Sequence, residues 1–151
     1  MSENEFGFPL VYTQLSHFYD VLNSDDNDRK NHIIETVLKE NGTKTVLDFT
    51  CGTGSQVFYL AESGYHVTGI DINKTLLDIA KNKSQKKSIN VTLSQGDICS
   101  SNVGRFDAVI SIFNAIGHLN KPDFERALDN IYQNLENDGL YIFDIFNKFF
   151  T

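Results

Sequence analysis

The run Thr45-Val46-Leu47-Asp48-Phe49-Thr50-Cys51-Gly52-Thr53-Gly54-Ser55-Gln56 constrains the fold of this chain more than any other stretch. A short apolar segment ends in an acid, a turn of small residues follows, and a helical pattern begins. That order predicts a strand, a tight loop and a helix N-terminus. The small side chains let a ligand approach the loop backbone closely. Asp48, at the carboxyl end of the strand, can accept a hydrogen bond from a cationic or hydroxylated ligand. A second strand, Val67-Thr68-Gly69-Ile70-Asp71-Ile72-Asn73, also ends in an acid. Asp71 lies 17 positions after Gly54, near the ~20 expected of a ribose-binding acid in a nucleotide fold. A third strand closes at Ser94-Gln95-Gly96-Asp97-Ile98, again with an acid.

Apolar periodicity fills in the rest. Residues 8–22 carry Leu10, Val11, Leu15, Phe18, Tyr19 and Leu22 at helical spacing, and Ser24 to Lys30 reads as a polar break. A second helix runs to about Glu40 and stops at Asn41-Gly42. The strands are predicted at about 44–49, 66–70, 90–95, 106–112 and 140–146. Helix 54–63 follows the first strand, and Asn73 caps the next helix. The lysine-rich run Lys81 to Lys87 reads as a solvated helix end and loop. Pro122 suits the first turn of a last helix, with Phe124, Ala127, Leu128, Ile131, Tyr132 and Leu135 on one face and Asp138-Gly139 as its end. Strands interleaved with helices predict an α/β fold: a doubly wound, Rossmann-like parallel sheet with helices on both faces. A ligand then binds outside the carboxyl ends of the strands, where the strand order reverses.

The three strand-end signals, in this order, resemble class I S-adenosylmethionine (SAM)-dependent methyltransferases over roughly residues 44–147. The resemblance implies SAM as cofactor and methyl transfer to a small-molecule acceptor. It implies that Gly52 and Gly54 run beside the amino-acid part of SAM, that Asp71 takes the ribose hydroxyls and that Asp97 sits by the adenine amino group. Asp48, Thr50, Cys51, Ile72, Ile98 and Phe113 complete the cofactor set. Thr50 stands where the family often has glycine, a subfamily choice. Tyr19-Asp20-Val21-Leu22 looks like the pattern of an N-terminal helix that folds over SAM, with Tyr19 against the ligand. Residues 1–43 are thus expected to form a helical segment covering the cofactor site, and 44–151 the SAM-binding core.

Methyl transfer is an in-line displacement governed by alignment, so no obligatory triad marks it. After the fourth strand, Phe113-Asn114-Ala115-Ile116-Gly117-His118-Leu119 lies beside the transfer site by resemblance. His118 is the candidate base or orienting group, and Asn114 could present its amide to the acceptor. Asp144 and Asn147 point to the same region. An NAD-dependent oxidoreductase is the competing enzyme class, but Val57 stands where Gly-x-Gly-x-x-Gly needs its last glycine, and Asp97 has no role there. A SAM-binding module without activity is the other alternative.

The family's sheet has strand order 3-2-1-4-5-7-6. This sequence reaches strand five only, giving 3-2-1-4-5 with strands six and seven absent, as expected of a shortened form or natural fragment of a larger methyltransferase. Weak or absent turnover is expected of it. Strand five, Leu140-Tyr141-Ile142-Phe143-Asp144-Ile145-Phe146, becomes an aromatic edge, which predicts a homodimer through that edge or the tail after it, or else a chain prone to aggregate.

A net charge of −7, from 13 basic and 20 acidic residues, disfavours nucleic acid and anionic membranes as partners. The two cysteines form neither a disulfide framework nor a metal site, and read as reduced thiols of a cytoplasmic protein. No His/Cys/acid cluster has metal-ligand spacing.

Overall fold

The computed structural model describes residues 24–146. A long helix, α1 (Ser24–Glu40), leads into β1 (Thr45–Asp48), α2 (Ser55–Glu62), β2 (His66–Asp71), α3 (Lys74–Lys87), β3 (Thr92–Gln95), β4 (Phe106–Ser111), a 3₁₀ turn (Ala115–His118), α4 (Lys121–Gln133) and β5 (Leu135–Phe143). The five strands form one sheet in the order β3-β2-β1-β4-β5, and every pairing is parallel. Order and direction match the sequence-based expectation. The predicted helix over residues 8–22 lies outside the described residues.

The pleat sends successive side chains to opposite faces, and both faces are covered. On one, Val46, Val67, Ala108 and Ile110 pack with Ile34 and Leu38 of α1, Val57, Phe58 and Leu60 of α2 and Leu77 of α3. On the other, Leu47, Ile70 and Val109 pack with Ala127 and Ile131 of α4 and with Phe49, Ile98 and Ile116. Burial on both sides explains why β4 reads as a nearly unbroken apolar run.

Several boundaries differ from the sequence reading, among them the end of β5, which stops at Phe143 rather than at 146, and three of the differences have a visible cause. The polar stretch after Ser24 is helical rather than a break, because its amides are used in packing. Asn27 donates from Nδ2 to Ser55 Oγ at 3.4 Å and accepts from Gln56 Nε2 at 3.0 Å, which seats the start of α1 on the start of α2. The lysine run belongs to α3, which continues to Lys87. Leu135 is the third difference. It extends the helical periodicity of α4, yet it pairs with Phe106 as the first residue of β5. The helix stops at Asn134, a fully buried side chain whose amide donates to Ser101 O at 3.1 Å and whose Oδ1 accepts from Val103 N–H at 2.9 Å. The register then slips: Ala108 pairs with Leu140. Glu136 to Gly139 bulge out, with Asp138 at φ 63°. The Asp138-Gly139 signal therefore marks a bulge within a strand.

β3 reaches β4 through a loop, without a helix. Asn130 secures that loop by donating to Ile98 O at 2.9 Å and Ser101 O at 2.8 Å. The loop carries Asp97, so α4 fixes one wall of the site described next.

Candidate cofactor site

The loop after β1 is held in shape by the acids around it. Asp48 Oδ1 accepts from Thr50 N–H at 3.1 Å. Asp71, at the end of the neighbouring strand, accepts from Gly52 N–H at 2.7 Å through Oδ2 and from Asn73 N–H at 2.7 Å through Oδ1. Asp71 is therefore a brace between two strand ends as well as a candidate ligand group. Gly52 (φ 53°) and Gly54 (φ 93°) take left-handed backbone, and a Cβ on Gly54 would stand 2.5 Å from the Phe58 ring. The loop requires glycine there for conformation and for space. Asp97, beyond β3, accepts from Cys99 N–H at 2.8 Å, and its own N–H donates to Ser101 Oγ at 2.8 Å.

These strand ends open onto one cavity of about 170 Å³, lined by Phe49, Thr50, Asp71, Ile72, Gly96, Asp97 and Ile98, and by Cys99, Ser100, Leu119, Asp123 and Arg126. The structure thus brings together Thr50, Asp71, Ile72, Asp97 and Ile98 from the sequence-derived set. Asp48, Cys51, Gly52 and Gly54 form the buried floor beside it. Asp123 and Arg126 of α4, ion-paired to each other, were missed. Their signal was positional: a helix that follows a parallel strand begins at the strand's carboxyl end, so its first turns border the ligand crevice. Tyr19 and Asn147 lie outside the described residues.

Burial sets the electrostatics. Asp48 is 1% exposed, and desolvation outweighs the Thr50 hydrogen bond to push its pKa to about 8, with Asp71 adding to the rise. Asp71 is pushed to about 6 by burial, against the backbone hydrogen bonds it accepts. Burial, and then the charges of Asp71 and Asp48, push the Cys51 thiol well above its ordinary value, so it is a packing group rather than a nucleophile. Two buried oxygens of this floor, Asp48 Oδ2 and Thr50 Oγ1, have no hydrogen-bond partner among the described residues. Buried polar atoms are seldom left so. Oxygens of this kind fit a ligand with ammonium, sulfonium or hydroxyl groups.

On the other side of the β4 end, Phe113 (φ 64°) and Asn114 (φ 56°) take left-handed backbone. Asn114 N–H donates to Asp144 Oδ1 at 2.8 Å, and Asn114 Oδ1 accepts from Phe146 N–H at 2.9 Å. The amide oxygen expected to face an acceptor is committed to shaping this turn. His118 is half-buried at the end of the 3₁₀ turn. Among the described residues no group of three or more His, Cys, Asp or Glu could hold a metal ion, and no helix is long and apolar enough to cross a membrane.

A five-stranded parallel sheet in this order, with a glycine loop and three strand-end acids at its carboxyl edge, is the Rossmann-like fold of SAM-dependent methyltransferases. Residues 46–139 match the family described as "Methyltransferase domain", and the chain belongs to that family. YqeM of Bacillus subtilis, a methyltransferase by name, is 31% identical over 144 residues, covering 93% of this chain and 57% of the relative. The Coxiella burnetii ubiquinone biosynthesis O-methyltransferase is 32% identical over 109 residues, covering 71% of this chain and 45% of the relative. The solved structure of a SAM-dependent methyltransferase from Clostridium acetobutylicum superposes with a TM-score of 0.78 at 24% identity, covering 89% of this chain and 57% of that one. The chain spans about half the length of the curated relatives it matches.

Proposed function

We propose that this domain binds SAM in the cavity at the carboxyl ends of β1, β2 and β3, and serves methyl transfer to a small-molecule acceptor. The observation that carries this reading is the convergence of Thr50, Asp71, Ile72, Asp97 and Ile98 on one cavity. In this reading Asp71 takes the ribose hydroxyls, Asp97 and Ile98 the adenine, and Gly52, Gly54, Asp48, Thr50 and Cys51 the amino-acid end. When bound, SAM supplies a methyl group already activated on a sulfonium. The chain's part is then to hold, orient and dehydrate the reactants. Phe113 belongs to the cofactor set in this reading, and Asn114 and His118 serve the acceptor side, with His118 as proton acceptor or orienting group. Tyr19 and the segment 1–43 are assigned to covering the ligand. The domain is placed in the cytoplasm, where its two free thiols stay reduced, with neither nucleic acid nor membrane as partner.

Calorimetry with SAM, S-adenosylhomocysteine and NAD tests the reading. Binding in the micromolar range is expected for the first two and none for NAD. Heat with NAD and none with SAM would reverse the assignment.

The proposal extends to self-association. Among the described residues β5 is hydrogen-bonded to β4 on one side only, and Phe143, Ile145 and Phe146 are exposed. An aromatic edge of this kind recruits another strand, and a second copy of β5 is the proposed occupant. Light scattering over a concentration series should give twice the chain mass. A strictly monomeric, soluble chain would retire the dimer.

A further inference from the structure

The turn after β4 holds two consecutive non-glycine residues, Phe113 and Asn114, in left-handed backbone. Asparagine tolerates that conformation, but for Phe113 it is unfavourable and persists only where the surroundings enforce it. The supports are visible and come from two other parts of the chain. From the segment after β5, Asp144 Oδ1 takes the Asn114 N–H, and Phe146 N–H is taken by Asn114 Oδ1. From α1, Lys30 Nζ lies 2.7 Å from Asp144 Oδ2 and 3.9 Å from the centroid of the Phe113 ring. One ammonium therefore touches both halves of the turn: the ring of its first residue and the acid that anchors its second. The two charged side chains are only 22% and 29% exposed. Shelter of that degree, together with the cation–π contact, makes the pair worth more than an open surface ion pair. Gly117 belongs to the same design, since a Cβ there would collide with the Asn114 side chain.

We propose that Lys30 is a positioning residue: by clamping Asp144 and Phe113 it makes the strained acceptor-side turn conditional on the docking of α1. Lys30 thereby couples the segment that leads into the core by one route to the turn beside the transfer site by another. The inference rests on the methyl-transfer reading only for what the turn is used for. The coupling itself is a property of the apo chain. It also gives α1 a task beyond covering hydrophobic surface, because Lys30 continues, one turn earlier, the face on which the buried Ile34 and Leu38 anchor the helix to the sheet.

Residue-resolved amide hydrogen exchange on the full chain tests the proposal, with the Gly52 amide, bonded to Asp71, as internal reference. Lys30→Met should speed exchange at Asn114 and Phe146 about tenfold through local opening, and leave Gly52 within twofold of wild type. Lys30→Arg should restore most of the protection. Asp144→Asn breaks the ion pair but keeps an acceptor oxygen, and should give the same pattern more weakly; it also serves if Lys30→Met does not fold. Uniform acceleration that includes Gly52, or no change at Asn114 and Phe146, overturns the proposal. SAM calorimetry on the same variants separates the two readings. A wild-type chain that does not bind SAM refutes the proposed function and leaves the exchange result standing. Wild-type binding with an unaltered exchange pattern in Lys30→Met refutes the clamp alone.

Discussion

Replacing Asp71 with alanine is expected to weaken SAM binding by roughly 1–3 kcal/mol, because a charge-assisted acceptor for the ribose is lost. The same change is expected to destabilise the domain, which separates Asp71 from the other candidate ligands. Its carboxylate takes the Gly52 and Asn73 amides at 2.7 Å each in a site that is 7% exposed. Alanine strands both donors. Relief of a buried charge offsets part of that loss, leaving about 2 kcal/mol and a fall in Tm of roughly 4–8 °C for a chain of this size. Asparagine is not a neutral replacement, since its NH2 would face one of the two N–H donors. Asp97→Ala provides the contrast: Asp97 takes one backbone amide, that of Cys99, at a half-buried position, so affinity should fall with much less loss of stability. Scanning calorimetry and SAM titration on both variants decide it. An Asp71→Ala protein that binds SAM as well as wild type would remove Asp71 from the ligand set.

The double duty of Asp71 also shows which parts of this domain were legible in the sequence. The acids and glycines were readable because they sit at or just after strand ends, where a short apolar run breaks off abruptly. The strand order followed from the family resemblance that those strand-end signals carry. What could not be read was set by contacts between elements. The stretch before Lys30 looks like a break on propensity alone, and becomes helix because Asn27 pairs with Ser55 and Gln56. Leu135 keeps helical spacing with α4, and becomes strand because Asn134 is drawn into the β3–β4 loop. The wall supplied by Asp123 and Arg126, and the bond from Lys30 to Asp144, join residues far apart in sequence that no local pattern connects. Asn114, expected to present its amide to an acceptor, spends its side-chain oxygen on the turn.

Stability and ligand affinity are expected to have opposite pH slopes, and Asp48 is the main reason. Burial pushes its folded pKa to about 8, against about 3.9 in an unfolded chain. Between those values the folded state holds a proton that the unfolded state has lost. The apo domain should therefore gain stability as pH falls from 8 towards 4. Asp71, pushed to about 6, adds in the same direction over the lower part of the window. Asp107 works the other way: the Lys44 and Thr45 amides hold its pKa below the ordinary range, so its contribution is lost only as pH falls below about 4. A shift like that of Asp48 corresponds to at most about 6 kcal/mol, and relaxation and water entry reduce it to about 2–3 kcal/mol. Tm should thus rise from pH 8 to pH 5. A cationic ligand group facing the unpartnered Asp48 Oδ2 favours the ionised acid, so SAM should bind more tightly at pH 8 than at pH 6. Asp48→Asn mimics the protonated form: it should raise Tm at pH 8, flatten the stability profile and weaken SAM at pH 8. Paired melting and titration series at pH 5, 6, 7 and 8 on both proteins measure the slopes. A wild-type Tm that climbs from pH 5 to pH 8, or an Asp48→Asn chain that melts earlier than wild type at pH 8, would mean that Asp48 is ionised and satisfied in the folded protein, its second oxygen partnered after all.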